Sequence, residues 1–213
     1  MKFKYEKILD RHLNVFGYEV LHNDASKIPW SEVDDSWLNK NLIEQLEEII
    51  QLCRLEGAHK KLTCFFLNLE RKQLQDLNFV SKVSQLVHQI GRFDTRVCFE
   101  ITERQYSEVK NLLQGDELRK LKDKYQLTFS ADDVTHNDYR AKEIESDVYD
   151  FVKLEPQLFY TSCSNSIKSV SRWMHEIKEK CSCQFIAEKV ETESMHDSAS
   201  VMPFDYFQGY LYR

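Results

Sequence analysis

TFSADDV, residues 128–134, is a short apolar run that ends in two adjacent carboxylates, Asp132 and Asp133. Read as a buried strand, it places both acids where the strand gives way to a loop. Seven further runs share its β-branched or aromatic character. They are KFKYEKIL (2–9), VFGYEVL (15–21), LTCFFLNL (62–69), TRVCFEIT (95–102), DFVKLE (150–155), CQFIAEK (183–189) and FDYFQGYLY (204–212). The opening stretch belongs to LTFSAD (127–132), which makes eight strand candidates.

Stretches of helical spacing separate most of these runs. Residues 36–56 carry Leu38, Leu42, Leu46, Ile49, Ile50 and Cys53 on one face, with Gly57 as a stop. Residues 74–90 carry Leu74, Leu77, Val80, Val83, Val87 and Ile90, with Gly91 as the stop. Residues 164–181 repeat the pattern with Ile167, Val170, Trp173 and Ile177. Residues 103–124 and 138–149 are more polar, which predicts surface helices.

Strand and helix alternate from residue 62 onward, the order of a parallel sheet covered by helices. Eight strands predict an α/β fold of the closed (β/α)8 type, at the short end of the lengths that fold uses. Only five residues, 10–14, separate the first two runs, too few for a parallel crossover, so they are expected to pair as an antiparallel hairpin. The result is a modified TIM barrel with an antiparallel first strand. A doubly wound open sheet is the rival architecture. With 5 glycines, 3 prolines and no linker or repeat, residues 1–213 read as a single domain.

Bulk composition narrows the function. The chain of 213 residues has 42% apolar content and a net charge of −6, which speaks against a basic grip on nucleic acid. A small anionic ligand stays open, because bound cations reverse local charge. The first residues, MKFKYEKILDRHL, hold no apolar core of a signal peptide, and no run approaches the length of a membrane span. The six cysteines lack CxxC spacing and are expected to be reduced structural thiols. The expectation is a cytoplasmic protein with no membrane and no direct nucleic-acid contact.

The ends of the strand runs carry a consistent chemistry. They supply Glu19, Asn68, Glu100 with Glu103, the Asp132–Asp133 pair, Lys153 with Glu155, Glu188 with Glu191, and Gln208. In a barrel these positions face one mouth, where barrel enzymes carry their chemistry. Crowded carboxylates raise one another's pKa unless cations neutralise them. Hard oxygen ligands suit Mg²⁺, Mn²⁺ or Ca²⁺. Two ions clamping a phosphate and activating a water account for the set, with Asp132 and Asp133 each reaching a different ion. The plain alternative is that strand ends meet polar loops.

These same residues carry a resemblance. GYEVL (17–21) resembles the G-[YF]-E-A-L signature of bacterial EAL domains. LNLERKQLQD (67–76), FEITER (99–104), ADDV (131–134) and FVKLE (151–155) are similar, in order, to that family's asparagine strand, E-[LI]-T-E-S, A-[IL]-D-D-F-G and L-K-I-D blocks. FIAEKVETE (185–193) resembles V-A-E-G-V-E-T-E, and FDYFQGYLY resembles D-[YF]-x-Q-G-Y-[LY]-F. The resemblance implies hydrolysis of cyclic di-GMP to linear pGpG with two Mg²⁺ or Mn²⁺ ions. It implies Glu19, Asn68, Glu100, Asp132, Asp133 and Glu188 as metal ligands. It gives Lys153, Glu188 and Gln208 catalytic duties, with Lys153 polarising the attacking water and Gln208 placing a water. Leu21 and Gln208 fall on the substrate side, and Glu103 anchors the loop after the aspartates.

The departures leave two functions open. The usual L-L-R continuation reads Leu21–His22–Asn23, so an arginine for the ligand phosphate is missing, a loss of roughly 1.5–3 kcal/mol. The F-G-T-G-Y-S-S loop reads Val134–Thr135–His136–Asn137–Asp138–Tyr139–Arg140, without glycine. Val20 replaces alanine and Glu155 replaces aspartate. IPWSEVDD (28–35) is a remnant of the F-I-P-x-A-E helix, and little follows the last strand. One reading is a metal-dependent cyclic di-GMP phosphodiesterase. The other is a catalytically inactive EAL-like protein, a cyclic di-GMP receptor or a protein-binding regulator of transcription or motility. The family also suggests a homodimer, although DYRAKEIESDVYD (138–150) offers no apolar seam.

Overall fold

The computed structural model describes residues 2–23, 33–56, 63–102, 113–134, 140–154 and 164–213. Its strands are β1 (Phe3–Asp10), β2 (Val15–His22), β3 (Cys64–Glu70), β4 (Arg96–Thr102), β5 (Phe129–Val134), β6 (Phe151–Leu154), β7 (Gln184–Ala187) and β8 (Tyr206–Gln208). They form a closed barrel in sequence order, and β1 runs antiparallel to its neighbours, as the short β1–β2 connection requires. Among the described residues the helices are α1 (Asp35–Glu56), α2 (Leu77–Gly91), α3 (Gly115–Tyr125), α4 (Ala141–Glu145), α5 (Ser164–Lys180) and α6 (Glu193–Ser200).

Contacts group the chain into two compact units. The first comprises Met1–Glu6 and Gly17–Thr128. Here β2, β3 and β4 pair in parallel. Phe66, Leu67, Cys98 and Phe99 are fully buried, so these strands lack the polar alternation of a one-sided sheet. Gly17 permits the β2–β3 approach, because a Cβ there would lie 2.2 Å from the Cys64 carbonyl oxygen. The α1 stripe is buried at Leu42, Leu46 and Ile49, and Gln45 donates to the Val20 carbonyl at 3.2 Å. Helix α2 starts later than the periodicity suggested. Residues Arg71–Gln75 form a 3-10 turn, and the Asp76 carboxylate then caps α2 by accepting from the Asn78 and Phe79 amides.

The second unit comprises Lys7–Phe16 and Phe129–Arg213. Strands β5 to β8 are parallel, and β8 pairs antiparallel with β1 through Ile8↔Gln208 to Asp10↔Tyr206. The hairpin turn after β1 is held by Asp10, whose carboxylate accepts from the His12 and Asn14 amides at 2.8 and 2.9 Å. Leu13 takes the left-handed conformation that this turn needs. Arg11 donates to the carbonyls of Ser200, Met202 and Phe204.

Several expectations needed adjustment. The run 204–212 is a strand only over Tyr206–Gln208, followed by a 3-10 turn at Tyr210–Tyr212. Gly209 ends it: φ is 155°, and a Cβ would meet Val190 backbone atoms at 2.2 Å. Helix 103–124 is described only from Gly115 to Tyr125, and 138–149 is helical over Ala141–Glu145. Helix α6, capped by the Thr192 hydroxyl, lies in a stretch with little apolar periodicity. Cys53, Cys64, Cys98 and Cys183 are buried thiols. Burial first, then the neighbouring Cys181, pushes the Cys183 thiol up in pKa. Cys163 lies outside the described residues.

Candidate functional site

In the first unit, three strands deliver the acid and amide residues. Phe66 pairs with Glu19 in register, and Asn68 pairs with Glu100. Asn68 is two residues beyond Phe66, so the strand's two-residue period puts Glu19, Asn68 and Glu100 on the same face. The Asn68 amide donates to the Glu19 carboxylate at 3.5 Å. Glu100 is 0% exposed and Glu19 is buried. Val20, beside the signature glutamate, is buried. Leu21 is half-buried on β2. The next residue, His22, packs its ring against Phe3 and Trp37 at 5.8 and 5.7 Å.

In the second unit, a β-bulge explains how two adjacent aspartates reach one place. Strand β5 pairs Ala131 with Val152, and then Val134 with Leu154. Three steps along β5 therefore match two along β6, and both aspartates stand opposite Lys153. Asp133 takes a left-handed φ of 49°, which breaks the alternation that would send neighbouring side chains to opposite faces. Ligand oxygens of Asp132, Asp133 and Glu188 consequently lie within 4.8 Å of one another. The buried Arg140 donates to the Asp132 carbonyl at 2.7 Å and steadies the bulge.

Lys153 is the charged centre of this group. It is 1% exposed. Its ammonium sits 2.6 Å from Glu188 and 3.6 Å from Asp132. Lys153 pairs in register with Ile186, so Glu188, two residues on, shares its face. A buried ammonium needs such partners, because an isolated one loses several kcal/mol of hydration. Gln208 is buried on β8, and its backbone carbonyl accepts from the Val190 backbone amide at 3.0 Å.

Two residues escaped the reading of the sequence. One is Arg140. The other is Lys189, which adopts φ 50° and pairs with Asp133 at 3.1 Å. The signal for Lys189 was present: FIAEKVETE has lysine where the matching block has glycine, a residue suited to that backbone. Glu103, His136, Glu155 and most of the altered loop lie outside the described residues.

The donor set fits a divalent cation. Carboxylates from three positions converge within ligand range of one another, and hard oxygen donors suit Mg²⁺, Mn²⁺ and Ca²⁺.

An eight-stranded barrel with carboxylates, an amide and a lysine at its strand ends is the class that fold and residues define. The family model for the EAL domain matches residues 30–213, and the chain belongs to the EAL domain family. The fold is similar to that of the EAL domain of Mycobacterium smegmatis DcpA, at TM-score 0.72 and 18% identity, covering 100% of this chain and 89% of that one. It is also similar to the Bacillus subtilis YkuI protein in complex with its substrate c-di-GMP and calcium. There the TM-score is 0.69 and the identity 17%, over 98% of this chain and 53% of that one. For the cGMP-bound EAL enzyme Bd1971 the values are 0.73 and 18%, over 99% and 61%. The chain thus spans just over half the length of the last two. Comparison with curated proteins gave no match.

Proposed function

We propose that this chain is a divalent-metal-dependent phosphodiesterase that hydrolyses cyclic di-GMP to pGpG. The observation that carries this reading is the full burial of Lys153 between Asp132 and Glu188, which keeps a cation at the acid cluster. Glu19, Asn68, Glu100, Asp132, Asp133 and Glu188 would hold Mg²⁺ or Mn²⁺. When bound, such ions supply Lewis acidity toward phosphodiester oxygens and an attacking water. Lys153 orients that water and stabilises the charge that grows as its proton leaves. Gln208 positions the substrate side of the same water. The water oxygen bonds to phosphorus, one ribose P–O bond breaks, and the leaving oxygen takes a proton. The c-di-GMP complex of YkuI lends support at the level of the fold.

A second reading is an EAL-like receptor or protein-binding regulator without turnover. The ion pair of Lys189 with Asp133 favours it, because it sets a lysine against an expected ligand. Turnover of cyclic di-GMP with Mg²⁺ or Mn²⁺, on the wild type and on Glu19→Ala, separates the two. Product that vanishes in Glu19→Ala supports the enzyme. Tight cyclic di-GMP binding with no product in either protein supports the receptor.

A further inference from the structure

Lys189 holds a costly position for an exposed residue. Its backbone lies in the left-handed region, which non-glycine residues adopt at a penalty. Its ammonium reaches the carboxylate of Asp133, a residue itself held left-handed by the β5 bulge. Two special backbone conformations on different strand ends thus meet in one ion pair. Asp132, Asp133 and Glu188 bring three carboxylates, while Lys153 and Lys189 bring two ammonium groups, a formal net charge of −1. Without Lys189 the same group would carry −2. Attraction for a divalent cation rises with that charge.

The pair is also reversible by construction. Lys189 and Asp133 are both about half exposed, and exposed ion pairs are individually weak. Lys153, by contrast, is buried and fixed. We propose that Lys189 is a tethered competitor for divalent metal at Asp133. It weakens the ion that Asp133 would hold and makes occupancy depend on cation concentration within a range that a bare acid cluster would saturate. The inference rests on the metal-site reading above and adds a lysine that sets the affinity of that site.

Mn²⁺ titration of the full chain at low ionic strength, followed by the EPR signal of free Mn²⁺, tests this. Lys189→Gln removes the charge and keeps the side-chain length. Lys189→Gly also relieves the backbone. Lys180→Gln, which loses a surface pair with Glu145, controls for net charge. Both Lys189 variants are expected to bind Mn²⁺ about fivefold more tightly, an advantage that shrinks as salt screens the ammonium. Lys180→Gln should match the wild type. Unchanged affinity in Lys189→Gln overturns the proposal, as does tightening in Lys189→Gly alone, which would assign the effect to the backbone. Equal tightening in Lys180→Gln overturns it too. If Glu188→Gln abolishes Mn²⁺ binding while Lys189→Gln changes nothing, the lysine inference alone falls. If the wild type and both Lys189 variants bind no Mn²⁺, the metal-site reading falls with it.

Discussion

At the scale of single residues, Lys153 and Gly209 are the most constrained. Replacing Lys153 with Met leaves Glu188 and Asp132 facing each other in a buried setting. Breaking a buried pair from one side costs about 3–5 kcal/mol. Denaturant unfolding of Lys153→Met in metal-free buffer should show a loss of that order, and added Mn²⁺ should recover part of it. A loss under 1 kcal/mol would mean the ammonium is not needed to balance those acids. Gly209→Ala places a methyl against the Val190 backbone at 2.2 Å, where nothing flexible can yield. Its expected cost is about 3 kcal/mol or more, read from the same unfolding curves. A Gly209→Ala protein as stable as the wild type would mean the β7–β8 ends are not packed as described.

At the scale of elements, the hairpin turn carries a pH signature. Burial works to raise the Asp10 carboxyl, but hydrogen bonds from Asn14 and His12 outweigh it and hold the group below the usual carboxylate range. A carboxyl with a depressed folded pKa stabilises the protein above its unfolded pKa. That contribution is lost as pH falls through the lower folded value. Asp10→Ala should therefore cost about 0.5–1 kcal/mol at pH 7 and almost nothing well below pH 3, measured by urea unfolding at both pH values. An equal cost at both would remove the carboxylate's role in the turn.

The elements also show what a sequence can carry. All eight strands were legible, because buried parallel strands read as short apolar runs. So were α1, α2 and α5, whose apolar stripes repeat at helical spacing. Helix α6 was not, since ESMHDSAS has only Met195 and Ala199 to bury. Both Asp132 and Asp133 were expected at the site from the sequence, but the backbone device that brings two adjacent side chains to one place was not legible. It depends on a one-residue slip between β5 and β6, without a glycine or proline to announce it. Lys189 was legible as a misfit to its block, though only the folded chain joins it to Asp133.

At the scale of the whole molecule, the proposed cation site would couple metal binding to stability. Ligands that bind the folded state stabilise it by mass action, about 2.7 kcal/mol at a hundred times the dissociation constant. Mn²⁺ should therefore raise the melting temperature in a concentration-dependent way, and EDTA should reverse the shift. Glu188→Gln should show little response. A melting curve indifferent to Mn²⁺ at millimolar concentration would argue against any cation site among these carboxylates. The net charge of −6 adds a general attraction for cations, which salt reduces.

The β1–β8 seam has a consequence for synthesis on the ribosome. Ile8 finds its partner Gln208 two hundred residues later, in a strand of only three residues. Until that strand emerges, the outer edge of β1 has no native neighbour, and exposed strand edges invite pairing with other chains. The β1 edge is therefore open to mispairing until residues 206–208 have left the exit tunnel, and chaperone demand should fall once they have.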